Sequence, residues 1–231
     1  MKIKTALILC AGFGQRLRPL TIEKPKPLLE INGITLLENT VNLLKSLNFS
    51  NIKINSFYLK DQIKNFISEK KFNINIEVVE DGNEILDTGG GILNLVKNLD
   101  EENFLVFNPD TIWNSRYINT IEKMENFYFK NKIDNLLMVV NKVKSFDKRF
   151  KGDFELDINN LTKDKKSNNY IFTGCQIINK NLLFKIDSKS FSISKVWNNL
   201  IKENKLYGFE SLNDFVHITD IEIYKKLLEN Q

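Results

Sequence analysis

Apolar runs of strand length alternate with segments of helical period through the first half of this 231-residue chain, and few folds accommodate that rhythm. Residues 5–10, 51–57, 74–80, 103–110 and 135–141 read as strands. Between the first two, residues 34–49 place Leu36, Leu37, Val41, Leu44 and Leu47 on one helical face, and a second helix is expected near 59–70. Strands joined by helices in this way form a doubly wound, mostly parallel α/β sheet with helices on both faces. The second half changes character. Residues 152–158 and 169–179 read as strands with no long helix between them, a small antiparallel extension. An amphipathic helix over 191–204, a strand over 205–211 and a terminal helix follow; Thr219 and Glu222 have the spacing of a capping box for the last. No linker or internal repeat divides residues 1–231, so a single domain is expected.

Composition narrows the function classes. With 42% hydrophobic and 27% charged residues the chain can bury a core, and its net charge of +4 does not by itself call for nucleic acid or a membrane. Its basic residues cluster in one loop, not along an aromatic-studded surface, which disfavours a nucleic-acid partner. The two cysteines, Cys10 and Cys175, lie in apolar strand contexts without disulfide or zinc spacing. No apolar stretch approaches the roughly 20 residues needed to span a bilayer. With no signal-peptide pattern at the start, a cytoplasmic protein without a membrane partner is expected.

Ligands of open α/β sheets bind beyond the carboxyl ends of the strands, so residues just past each strand are the candidates. After the first strand comes "AGFGQRLRPLTIEKPKPLL", residues 11–29. Gly12 and Gly14 let the backbone approach a ligand, Arg16 offers a planar fork for phosphate, and Pro19, Pro25 and Pro27 stiffen the segment presenting Arg18, Lys24 and Lys26. Leu17 occupies the place of the third glycine in a dinucleotide fingerprint, and no G-K-[ST] follows. Taken alone, the two glycines also fit an ordinary turn. Asp110, at the end of "FLVFNPD", suits either Mg²⁺ coordination or the capping of the following turn. Gly89, Gly90 and Gly91 suggest a helix N-terminus with donors facing a ligand, or a loop permitting a tight crossing. His217 could touch a metal, a phosphate or a water, or be structural. Trp113 and Trp197 read as core or interface residues.

Ala11, Gly12, Gly14, Arg16, Pro19, Thr21, Pro25, Lys26, Pro27 and Leu28 together resemble the signature of the sugar-1-phosphate nucleotidyltransferases. "DTGGGI" (87–92), "NPD" (108–110), "GDF" (152–154) and "FTG" (172–174) resemble the branch containing N-acetylmuramate α-1-phosphate uridylyltransferase and its mannose-1-phosphate guanylyltransferase-like relatives. The resemblance implies a Rossmann-like fold of the nucleotide-diphospho-sugar transferase type and an Mg²⁺-dependent enzyme, monomeric or homodimeric. Its substrates would be a nucleoside triphosphate and a sugar-1-phosphate, with UTP and N-acetylmuramate α-1-phosphate of cell-wall recycling as the first pair.

It also implies roles for particular residues. Arg16, Lys26 and Asp110 would be catalytic. Ala11, Gly12, Gly14, Arg16, Glu80, Gly89 and Gly90 would line the nucleotide site, and Lys26, Asp153, Thr173 and Gly174 the sugar-phosphate site. Asp110 and His217 would hold the metal. The chain departs from that pattern at Pro109, where glycine is usual, at His217, where a second aspartate is common, and in lacking a Glu-Lys-Pro stretch. The alternatives are a mannose- or heptose-1-phosphate guanylyltransferase, and a non-catalytic nucleotide-binding regulator on the same fold.

Overall fold

The computed structural model describes residues 2–164 and 166–229. The strands are β1 (Thr5–Leu9), β2 (Glu30–Ile31), β3 (Ile34–Thr35), β4 (Asn51–Ser56), β5 (Asn75–Glu80), β6 (Asn103–Phe107), β7 (Asn135–Asn141), β8 (Glu155–Asp157), β9 (Asn160–Thr162), β10 (Tyr170–Asn179) and β11 (Gly208–Ser211). The helices are α1 (Leu20–Glu23), α2 (Leu36–Ser46), α3 (Lys60–Lys70), α4 (Asp87–Val96), α5 (Arg116–Asn131), α6 (Asn181–Phe184), α7 (Ser194–Lys202) and α8 (Ile221–Glu229). One sheet runs β11-β7-β10-β6-β1-β4-β5, taking strands from both halves of the chain. All its pairings are parallel except those of β10, which lies antiparallel between β6 and β7.

Period-two alternation in β1 decides which layer each side chain joins. Ala6 and Ile8 face the core formed with Leu37, Val41 and Leu44 of α2 and with Tyr117, Ile121 and Met124 of α5. Leu7 faces the opposite core, with Ile92, Leu95 and Val96 of α4 and Trp197 and Leu200 of α7. Trp113 and Trp197 are both buried, as their sequence context implies.

Several element limits differ from those read off the sequence. Ile34 and Thr35 are not helical: turned by Asn32 and Gly33, both at positive φ, they pair with Glu30 and Ile31 as a hairpin. Thr35 then caps α2, its hydroxyl accepting the N–H of Glu38. Only Glu155–Asp157 of residues 152–158 forms a strand, paired with β9, which alternation had not revealed. The expected capping box at α8 is absent. Asp220 caps the helix, accepting the N–H groups of Glu222 and Ile223, while Thr219 Oγ1 donates to Asp147 Oδ2 at 2.9 Å. The buried Asp147 carboxylate, held to about 2 by the Arg149 guanidinium, draws the threonine away.

Candidate functional site

The strand order places the site. From β1 the chain winds outward to β4 and β5, then crosses back to lay β6 on the other flank of β1. The loops leaving β1 and β6 therefore diverge at a topological switch point, and a crevice opens beyond the strand ends. A cleft of about 660 Å³ lies there, lined by residues 9–17, Lys26, Asn55, Asp87, Thr88, Asn108, Asp110 and Thr219 among others.

The first wall is the loop after β1. Gly14 adopts φ +62, a left-handed conformation that starts a 3₁₀ turn over Gln15–Leu17, and a Cβ there would lie 3.0 Å from Thr21 Cγ2. Its carbonyl accepts Leu17 N–H at 2.9 Å and Thr21 Oγ1 at 2.8 Å. Among the described residues, none accepts a hydrogen bond from the backbone N–H groups of Gly12 to Arg16. A Cβ on Gly12 would meet nothing within 4 Å. The loop thus presents a run of unpaired donors to open space, a concavity suited to anionic oxygens. The Arg16 guanidinium, exposed at the cleft, makes no hydrogen bond or ion pair among the described residues.

Lys26 arrives from the same loop. Pro25 and Pro27 flank it in a second 3₁₀ turn, Lys26–Leu28, closed by Leu28 N–H to Pro25 O at 2.9 Å. That turn aims Lys26 Nζ at Asp110 Oδ2, 2.6 Å away, across 84 residues of sequence. Asp110 lies just past β6, which ends at Phe107; the Asn108 N–H still bonds the neighbouring β10, at Gly174 O, 2.7 Å away. Burial disfavours its charge, but His217 and the Lys26 ammonium outweigh that and hold the carboxyl at about 2.

His217 packs beside this pair, bridged through its backbone to Thr111. Thr111 Oγ1 donates its one proton to Thr173 O at 2.7 Å, so it accepts from His217 Nδ1 at 3.1 Å. The protonated Nδ1 lies 3.6 Å from Asp110 Oδ1, too long for a hydrogen bond. Burial lowers the affinity of His217 for a second proton; Asp110 opposes this, Lys26 and Arg16 reinforce it, and the ring titrates below its ordinary value. Asp110 Oδ1 is buried without any hydrogen-bond partner. An orphaned carboxylate oxygen in a cleft is the kind of donor a hard divalent cation takes, and Mg²⁺ commonly makes do with one or two carboxylates plus phosphate and water. The donor set fits that ion.

Other residues singled out by the sequence lie elsewhere. The N–H groups of Gly89 and Gly90 do not face the cleft; they donate to Phe191 O at 2.8 and 3.0 Å. A Cβ on Gly89 would come within 2.3 Å of the Phe191 ring, and one on Gly90 within 2.3 Å of Lys189 O, so both glycines serve the tight docking of α4 against residues 189–191. Glu80 ends the edge strand β5, ion-paired to Lys60 at 2.6 Å and also to Lys64. Thr173 is buried, its hydroxyl donating to Met138 O at 3.0 Å, and Gly174 sits at φ +89 where the register of β10 shifts. Asp153 accepts the Phe172 N–H at 2.9 Å.

Conversely, Asn55 and Thr219 line the cleft with no site role read from the sequence, and so do Asp87, Thr88 and Asn108, which the sequence offers only as parts of the 87–92 and 108–110 motifs. Asn55 bridges strands, accepting Cys10 N–H at 2.9 Å and donating to the buried Asp81 carboxylate at 3.2 Å. Its signal was available: an amide at the tip of the apolar run "NIKINSF".

A switch-point cleft lined by free amide donors and loop cations defines an α/β protein whose site is chemically suited to phosphate. Residues 5–147 match the nucleotidyl transferase family, and the chain belongs to it, within the sugar-1-phosphate nucleotidyltransferases. It is 24% identical over 223 residues to the N-acetylmuramate alpha-1-phosphate uridylyltransferase of Caulobacter vibrioides, which covers 94% of this chain and 92% of that protein. It is 30% identical over 216 residues to the mannose-1-phosphate guanyltransferase of Hypocrea jecorina, covering 88% of this chain but only 57% of the longer relative. Among solved structures, HddC from Yersinia pseudotuberculosis complexed with GMP-PN superposes with a TM-score of 0.77 at 22% identity over 99% of each chain. A UDP-glucose pyrophosphorylase complexed with UDP-glucose superposes with a TM-score of 0.78 at 15% identity, over 99% of this chain and 98% of that one. These two likenesses establish the common fold. Among the described residues, no helix is long and apolar enough to cross a membrane.

Proposed function

We propose that the chain transfers a nucleoside monophosphate from a triphosphate to a sugar-1-phosphate. The attacking phosphate oxygen forms a bond to the α-phosphorus while the bond to the β-phosphate oxygen breaks, releasing pyrophosphate. The observation that carries this reading is the run of unpaired N–H donors from Gly12 to Arg16, in a loop that lines the same cleft as Lys26 and Asp110. Such transfers need positioning and charge neutralisation more than covalent catalysis.

In this reading Gly12 and Gly14 let the loop close around the triphosphate, and the Arg16 fork holds the oxygens that leave as pyrophosphate. Lys26 neutralises the crowded phosphates at the reacting centre. Asp110 Oδ1 would hold Mg²⁺, which supplies charge neutralisation across the substrate phosphates. With the Thr111 bond in place, Nδ1 of His217 is a donor and not a ligand, so of its nitrogens only Nε2 could join Asp110 Oδ1, the carboxylate oxygen that would hold the cation. His217 keeps the Asp110 carboxylate company on its unpaired side. Of the sugar-site set, Lys26 alone lines the cleft; Asp153 lies outside it, accepting the Phe172 N–H.

Likeness along nearly the full length of the uridylyltransferase supports UTP with N-acetylmuramate α-1-phosphate as the first pair. The higher identity to the guanyltransferase supports GTP with mannose-1-phosphate as the second. The test is pyrophosphate release with Mg²⁺, crossing UTP, GTP, CTP and dTTP against both sugar phosphates and glucose-1-phosphate. One pair should dominate, and chelation by EDTA should abolish release until Mg²⁺ is restored. A folded protein that binds triphosphate yet releases nothing with any acceptor would point to the regulator. Arg16→Ala should cut turnover by about 10²–10³-fold while leaving the thermal melt unchanged, because an exposed loop arginine holds no core together. Loss of cooperative melting in that variant would remove Arg16 from the site.

A further inference from the structure

The loop that carries Arg16 and Lys26 is anchored by the buried Leu17, Leu28 and Leu29, but the limb between them is not: Leu20 and Ile22 are exposed, at 38% and 55%. That limb and the loop tip are held by Tyr58, two residues beyond β4. The Tyr58 N–H donates to Ala11 O at 3.4 Å, where the loop begins. Its phenolic O–H is shared between Thr21 O at 2.8 Å and Ile22 O at 2.9 Å, on the returning limb. The Phe13 ring at the loop tip packs on the Tyr58 ring at 5.4 Å between centroids, and on Phe57 at 6.0 Å. Gln62 Nε2 adds a bond to Glu23 O at 2.7 Å.

The tether reaches the donors themselves. Thr21, gripped by Tyr58 through its carbonyl, donates its own hydroxyl to Gly14 O at 2.8 Å. A trans peptide points its C=O and N–H in opposite directions. Holding the Gly14 carbonyl toward Thr21 therefore holds the Gln15 N–H away from it, in the row of unpaired donors.

We propose that Tyr58 is a positioning residue that keeps this loop in its ligand-binding geometry, so that the triphosphate does not have to order it on arrival. The proposal rests on the loop being the triphosphate site. Tyr58→Phe keeps the ring against Phe13 and deletes both hydroxyl bonds; Tyr58→Ala deletes the ring as well. The measurements are triphosphate affinity by calorimetry, with UTP and GTP in turn and Mg²⁺ present, steady-state kinetics, and amide hydrogen exchange of the free protein.

Tyr58→Phe should weaken triphosphate binding and raise its KM by about five- to tenfold, leaving the KM of the sugar phosphate unchanged. Exchange should quicken in residues 12–25 and nowhere else. Tyr58→Ala should extend both effects. Wild-type affinity together with unchanged exchange in Tyr58→Phe overturns the proposal, as does faster exchange spread through the whole chain. A wild-type protein that binds no triphosphate overturns the functional reading instead, and the exchange measurement still decides whether Tyr58 holds the loop.

Discussion

Asp110→Asn should lower turnover by about 10³-fold while the protein melts within a few degrees of wild type. The variant removes the charge that faces the phosphates, yet its amide oxygen still accepts from Lys26 Nζ, now 2.6 Å from the carboxylate. Lys26→Ala should cost a similar factor in rate and somewhat more stability, roughly 1–2 kcal/mol, because it strips a half-buried carboxylate of its counter-charge. For a chain of this length that is a fall in Tm of only about 2–8 °C. Since both groups act at one centre, the double variant should be little slower than either single one. Turnover and differential scanning on the same preparations check this. An Asp110→Asn protein that keeps its rate would make the pair a structural ion pair and nothing more.

The same pair carries a pH signature. The Asp110 carboxyl is depressed from 3.8 to about 2, so its contribution to stability is fully present above about pH 4 and fades as the pH falls toward 2. Asp147, depressed to about 2 chiefly by its hydrogen bonds from Arg149, loses its contribution over the same acid window.

A second large effect separates two glycines that look alike in the sequence. Gly89→Ala should destabilise the fold by about 2–4 kcal/mol, a drop in Tm of roughly 4–16 °C. The new Cβ would stand 2.3 Å from the Phe191 ring and 2.9 Å from its carbonyl, and Phe191 is itself only 2% exposed, so no flexible end can give way. Gly12→Ala should leave stability within about 0.5 kcal/mol, since its Cβ meets nothing within 4 Å. That methyl projects into the cleft, so triphosphate affinity should fall by about tenfold or more. Urea melts and calorimetry on the two variants test the contrast; a stable Gly89→Ala would mean that α4 docks less tightly than the geometry requires.

How much of this was legible beforehand depends on the range of each interaction. That β10 lies antiparallel inside the main sheet, not in a small extension, and that β11 is parallel to β7 do not follow from local periodicity. The strand-helix rhythm and the two-faced sheet do, because burial on two sides selects side chains at spacings of two and of three to four residues. The loop of glycines, prolines and cations was equally plain, since its chemistry is written in consecutive residues. Element limits were less so: Ile34 and Thr35 carry apolar positions that suit a helix, but the turn at Asn32 and Gly33 gives them to a hairpin.

The sequence by itself determined the layers of the fold and the loop of glycines, prolines and cations beyond β1. Only the tertiary structure decided which distant residues meet: Lys26 with Asp110 and His217, Tyr58 with both limbs of the loop, Gly89 and Gly90 with Phe191 instead of a ligand, Glu80 with two lysines at a sheet edge. Local pattern assigns a residue to an element and a face. Which strand tips share a crevice follows from the order in which the chain lays its strands about β1, and that order is set by packing between segments far apart in sequence.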